Sequence, residues 1–240
     1  MAVATLILLR HGRSSANGAG VLAGRMPGVG LDETGLAQAG RLVERLAGVP
    51  LADIVQSPLE RCAQTVAPLA VARGLDPTVE PELSEVDYGS WTGRPLKELG
   101  REPLWKVVQA HPAAAVFPDG EGLAAMAARA VAAVRRHDAR IAAEHGPGAV
   151  WLACSHGDVI KAVLADALAM HLDNFQRIVV DPGSISVITY TPVRPFVVKV
   201  NDHGSDLRGL VPPRSRRRGA GRARSAVVSS SDAVVGGTTG

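Results

Sequence analysis

The chain has 240 residues, 46% of them apolar, which suffices for one large α/β core and is incompatible with disorder of the whole. Aromatic residues make up only 3%, which argues against a stacking platform for single-stranded nucleic acid, and two cysteines are too few for a disulfide framework. The net charge of +3 is uneven: between residues 204 and 240 seven arginines stand against Asp206 and Asp232, a balance of +5, so residues 1–203 carry −2.

The first strong element is Thr5-Leu6-Ile7-Leu8-Leu9, an apolar run that reads as a buried strand. It ends in Arg10-His11-Gly12, at the carboxyl end where open α/β sheets hold their ligands. An arginine offers a fork that fits phosphate, a histidine can attack or move protons, and a glycine lets substrate approach the backbone. The run lacks a preceding basic region and is cut at Arg10, so no secretory signal is expected. No stretch approaches the ~18 apolar residues of a membrane span. A soluble, cytoplasmic protein is expected, with Cys62 and Cys154 as buried thiols.

Residues 13–30 form a Gly-rich loop without periodicity, holding Asn17, Arg25 and Met26. Asp32 caps a helix to about residue 46, with Leu36, Ala39, Leu42, Val43 and Leu46 on one face. Asp53-Ile54-Val55-Gln56 is a short strand running into a helix start, where Ser57 caps, Pro58 suits the first turn and Glu60 completes a capping box. Arg61 then lies in the first turn of a helix that follows a strand, where it meets an anion together with free N–H groups, or else pairs with Glu60 or solvent on the helix surface.

The loop 83–93 carries Glu85 and Asp87 beside Tyr88 and Trp91. A desolvated carboxyl there suits a general acid, and two loop-capping carboxylates are the other reading. Residues 95–109 are helical but interrupted at Pro103, and a long Ala-rich helix spans about 123–145 with His137, Asp138 and His145 exposed on it. Their spacing is not a metal-ligand pattern. A buried strand, residues 150–154, leads to a second helix start in which Ser155 caps and His156 sits at the helix N-terminus. Residues 176–180, 184–191 and 195–200 finish the domain as strands. The alternation predicts a three-layer α/β/α sandwich with a mainly parallel central sheet. The domain is expected over residues 1–203, followed by a disordered Arg/Gly/Ser-rich tail over 204–240. Only that tail offers charge to nucleic acid, so such a partner is not expected; the residues are compatible with a homo-oligomer without specifying one.

With these residues collected, the chain resembles the histidine phosphatase superfamily, in its phosphoglycerate mutase-like branch, over about residues 5–200. Four ordered motifs carry the likeness: Arg10-His11-Gly12 with Asn17; Ser57-Pro58-Leu59 with Arg61, Ala63, Gln64 and Thr65; Leu83, Glu85, Gly89, Trp91 and Gly93; and Ser155-His156-Gly157. The resemblance implies a phosphoglycerate mutase-like fold and assigns roles. His11 would take the phosphoryl group as a phosphohistidine, Arg10, Arg61, His156 and Asn17 would form the phosphate pocket, and Glu85 would protonate the leaving oxygen. Such chemistry needs no metal or other cofactor and takes a small phosphorylated substrate. Asp158 and Gly122 depart from the usual pattern, in which small residues and serine are common. The 71 positions from Glu85 to His156 match compact phosphatases better than glycolytic mutases, which carry a longer insertion. Phosphatase is therefore the expected activity, with a phosphomutase or a non-enzymatic phospho-ligand binder as the alternatives.

Overall fold

The computed structural model describes residues 3–204. The tail expected over 204–240 lies, from residue 205 onward, outside the described residues. A six-stranded sheet contains β1 (Thr5–Arg10), β2 (Leu51–Gln56), β3 (Thr78–Val79), β4 (Val150–Ser155), β5 (Ile185–Thr189) and β6 (Phe196–Asp202) in the order β3-β2-β4-β1-β5-β6. The first four run parallel, and β5 and β6 add an antiparallel edge.

Between the strands lie α1 (Ser15–Ala19), α2 (Glu33–Arg45), α3 (Glu60–Arg73), α4 (Leu96–Leu99), α5 (Pro103–Ala110), α6 (Leu123–His145) and α7 (Gly157–Ala167). The strands alternate their side chains between two cores, because successive residues point to opposite faces. Leu6, Leu8, Val55, Trp151 and Ala153 face α6, α7 and the 83–117 region, whereas Ile7, Leu9, Ile54, Leu152 and Cys154 face α2 and α3. Both cysteines are free and buried. Among the described residues no helix is long and apolar enough to cross a membrane.

Several local expectations need correction. Residues 176–180 are not a strand: a 3-10 turn, Leu172–Arg177, buries Phe175, and the following backbone serves the site, where Val180 O accepts from Arg10 Nη1 at 2.7 Å. The 13–30 loop contains α1, capped by Ser14 and Asn17. Leu36 is 55% exposed; the contact face of α2 carries Gly35 instead, because the helix packs directly on the Arg13 backbone. His137 and Asp138 are buried, since His137 Nε2 meets Glu80 Oε2 at 2.8 Å and Asp138 accepts from Trp151 Nε1 and the Ala4 amide. His145 is exposed. Asp32 does cap α2, accepting from the Gly35 amide at 2.9 Å, and Pro103 begins α5.

Candidate active site

Because β1, β2 and β4 are parallel neighbours, their carboxyl ends emerge at one edge of the sheet. Arg10 is in register with Ser155, and Gln56 with Cys154, so the residues that follow each strand meet there. His11, Arg61 and His156 form a contiguous cluster. Arg61 Nε donates to His11 Nε2 at 3.3 Å, Arg61 Nη2 lies 3.2 Å from His156 Nδ1, and the two imidazole centroids are 5.2 Å apart. All three side chains are essentially inaccessible, as is Arg10.

The hydrogen bonds define the tautomers. His11 Nδ1 is 2.7 Å from the Gly12 carbonyl, which can only accept, so Nδ1 carries the proton and the Nε2 lone pair faces Arg61. In His156 the pattern is reversed: Nδ1 accepts from Arg61, and Nε2–H donates to Ser57 Oγ at 2.7 Å. Burial, reinforced by Arg61 for both rings and by Arg10, pushes the two imidazoles well below their usual value, so both are neutral near pH 7.

Arg61 is fixed from three sides. Its first-turn position on α3 brings it to the sheet edge, Gly24 O accepts a further Nη2 bond at 2.8 Å, and Thr65 Oγ1 donates to its carbonyl at 2.6 Å. The same Thr65 hydroxyl accepts from the Gly12 amide, tying α3 to the loop after β1. Close approach of that loop to α2 depends on two glycines, for a Cβ on Gly12 would lie 2.8 Å from Gly35 O and one on Gly35 would lie 2.0 Å from Arg13 O.

Glu85 is buried, and its Oε1 accepts from the Val86 amide at 3.0 Å. Burial, followed by the nearby Asp158 carboxylate, raises it to about 7, against the lowering influence of Arg61 and Arg10. Its backbone carbonyl is gripped by Arg25 Nε at 2.8 Å and Arg129 Nη2 at 3.2 Å. Glu121 joins these guanidiniums, accepting from both and from the Asp87 amide. Asn17 stands apart from this arrangement, as its Oδ1 accepts from the Ser14 amide and hydroxyl at 3.0 and 2.8 Å.

The two strand-exit serines do not cap as expected. α3 begins at Glu60, behind Leu59, so Ser57 Oγ bonds His156 instead; α7 is preceded by His156, and Ser155 Oγ donates to Leu83 O at 2.7 Å. Sequence reasoning missed Ser57 and Thr65 as partners of the cluster, and Arg25, Arg129 and Glu121 as the clamp on Glu85. Glu121 had a signal, the Pro118-Asp119-Gly120-Glu121 turn, whereas Arg129 is one cation on an Ala-rich helix.

Similarity to known proteins converges on one family. The chain is 30% identical over 188 residues to the adenosylcobalamin/alpha-ribazole phosphatase of Salmonella typhimurium, covering 76% of this chain and 89% of that one. It is 32% identical over 187 residues to the bifunctional protein Rv2228c of Mycobacterium tuberculosis, covering 77% of this chain and 50% of that protein. The chain thus spans about half the length of the first curated relatives it matches. Among solved structures, a putative alpha-ribazole-5'-P phosphatase from Escherichia coli superposes with a TM-score of 0.72 at 27% identity, covering 83% of this chain and 97% of that one. YhfR of Bacillus stearothermophilus gives 0.75 at 26% identity, over 83% and 97%. The family model described as the histidine phosphatase superfamily (branch 1) matches residues 6–203, and the chain belongs to that family.

Proposed function

We propose that this chain hydrolyses small phosphomonoesters through a phosphohistidine formed on His11, without a metal ion. The observation that carries this reading is the His11–Arg61–His156 cluster: a neutral imidazole with its Nε2 lone pair aimed at a buried cation. On arrival of substrate, Arg61 exchanges its bond to Nε2 for one to a phosphoryl oxygen, and Arg10 and the Asn17 amide supply further positive or donor contacts. Neutral His156, through the bond its Nδ1 accepts, holds the Arg61 guanidinium toward the phosphate. Catalysis of phosphoryl transfer is largely positioning and charge stabilisation, which such fixed groups provide.

His11 Nε2 attacks phosphorus in line, the N–P bond forms as the ester P–O bond breaks, and Glu85 gives its proton to the leaving oxygen. The Gly12 carbonyl, bonded to Nδ1–H, stabilises the charge that the ring acquires. Water then attacks phosphorus, Glu85 takes back a proton, the N–P bond breaks, and inorganic phosphate leaves a neutral His11. Two easier steps replace one direct attack by water. A carboxyl held near 7 is suited to both halves.

Hydrolysis is favoured over a mutase in that three of the arginines that could hold a second substrate group are engaged, while Arg101 stays exposed. Arg13 pairs with Asp32 at 3.4 Å, Arg25 with Glu121 at 2.9 Å and Arg94 with Glu102 at 2.7 Å. A small metabolite as substrate is supported by relatives whose names include an alpha-ribazole phosphatase and a phosphoserine phosphatase. The test is phosphate release from an aryl phosphate in excess chelator, for the native chain and His11→Ala, with labelled phosphate traced on acid-labile histidine. Activity that survives chelator, disappears in the variant and labels His11 is expected; equal activity in both proteins would overturn the mechanism.

A further inference from the structure

The β4–α7 junction that carries His156 also grips the Glu85 loop at two points. Ser155 Oγ donates to Leu83 O at 2.7 Å, and Tyr88 Oη donates to Asp158 Oδ2 at 2.9 Å. Glu85 lies between these anchors. Asp158 is wholly buried in the first turn of α7, with its other oxygen 3.4 Å from Lys161 Nζ, which in turn reaches Gln176 Oε1 at 3.0 Å.

A buried carboxylate with these partners is an expensive way to join a loop to a helix, since an apolar pair of similar volume often does as well or better. The ring of Tyr88 already packs edge-on against Phe117, with centroids 4.9 Å apart, a contact that needs no hydroxyl. What Asp158 adds is charge. The charged groups around Glu85 come from several elements: Arg10 from β1, Arg61 from α3 and Asp158 from α7, with Arg25 and, from α6, Arg129 on its carbonyl. Tyr88 in its own loop and the histidines of the cluster complete the titratable set, and Asp181 acts on Arg10. The cations that phosphate requires therefore also draw the proton off Glu85, and Asp158 opposes them.

Resting on the phosphatase reading, we propose that Asp158 is a positioning residue for the acid: pinned by Tyr88 and Lys161, it anchors the Glu85 loop and sets a fixed negative charge that keeps the proton on Glu85 until the leaving oxygen takes it. The raised value of Glu85, for which Asp158 is the largest cause after burial, accords with this geometry. The role lies outside the four motifs that carry the family resemblance.

The test is Asp158→Asn, which preserves shape and an acceptor for Tyr88 while removing the charge. The pH profile of kcat/KM is recorded on an alkyl and an activated aryl phosphate, alongside the NMR titration of the Glu85 carboxyl, assigned with Glu85→Gln. The expected result is a shift of both the alkaline limb and the titration to lower pH by about one unit. At pH 7.5 the alkyl phosphate then loses about tenfold in rate and the aryl phosphate, which leaves without a proton, loses less. Lys161→Met should move limb and titration the other way. Activity reduced equally at all pH values, with the titration unmoved, would overturn the proposal and leave Asp158 a scaffold residue. If Asp158→Asn does not fold, an unmoved or lowered Glu85 titration in Lys161→Met overturns it equally. Absence of any phosphatase activity in the native chain would sink the phosphatase reading, and with it the role proposed for Asp158, whatever the titration shows.

Discussion

His156 is held by Ser57: its Nε2–H donates to the serine hydroxyl at 2.7 Å, and this bond leaves Nδ1 as the acceptor facing Arg61. The serine therefore selects the tautomer and the ring orientation of a residue 99 positions away. Ser57→Ala leaves that buried N–H with only Cys62 Sγ, 3.6 Å off, as a neighbour. We expect a loss of about 1–3 kcal/mol in stability, the cost of a buried donor without a good acceptor. Activity should fall roughly tenfold, within the ~10² that a misplacement of 1 Å can cost. Urea melts and kcat/KM for Ser57→Ala check both.

Glu85 couples activity to stability. Its folded value of about 7 lies above the ordinary 4.5, so as pH rises the unfolded chain releases this proton first. The penalty is absent below about 4.5, grows up to about 7 and is complete above it. Glu85→Gln should therefore match the native chain at pH 4 and exceed it by up to ~3 kcal/mol at pH 8, while losing ~10²–10⁴ in rate on poor leaving groups. His11 and His156 act with the opposite sign: their folded values lie below 6.5, so stability falls as pH drops through that point. Denaturant melts of Glu85→Gln across pH should show decline only on the acid side in this range.

Gly35 and Gly40 lie on the same helix and should respond oppositely to alanine. A Cβ on Gly35 meets backbone atoms of Arg13 at 2.0, 2.9 and 3.0 Å, while one on Gly40 meets nothing within 4 Å. Gly35→Ala should cost about 1–3 kcal/mol and lower activity by displacing the loop behind His11. Gly40→Ala should gain up to ~1 kcal/mol from helix propensity with activity unchanged. Thermal melts of the pair decide it, and a Gly35→Ala protein as stable and active as the native chain would contradict the packing described here.

Much of the site was legible because it is built at strand ends. A run such as residues 5–9, alternating between two buried faces, can hardly be other than an interior strand, and Arg10-His11 must then emerge at its carboxyl end. The same logic placed Arg61 and His156, whose elements are announced by apolar runs and helix starts. Residues 176–180 misled for a related reason: an apolar segment bounded by turn residues looks alike whether its backbone joins a sheet or, as here, turns inward to accept from Arg10.

Local sequence thus determined which residues end each strand, the two-sided burial of β1 and β4, and Arg10, His11, Arg61 and His156 as candidates at the strand ends, because these follow from periodicity and residue type. The choice of Glu85 over Asp87 came from the family resemblance. Only the tertiary structure decided what each hydroxyl and carboxylate does. Ser57 and Ser155 carry capping signatures, yet each found a stronger partner across the sheet edge, His156 and Leu83 O. Asp138 looks like a solvent-facing helix carboxylate and Asp158 like part of a helix-start capping signature, yet both are buried on donors from other elements, Trp151 and Tyr88. Capping competes with any better donor or acceptor that folding brings near, and that competition is settled by register and packing between segments far apart in the chain.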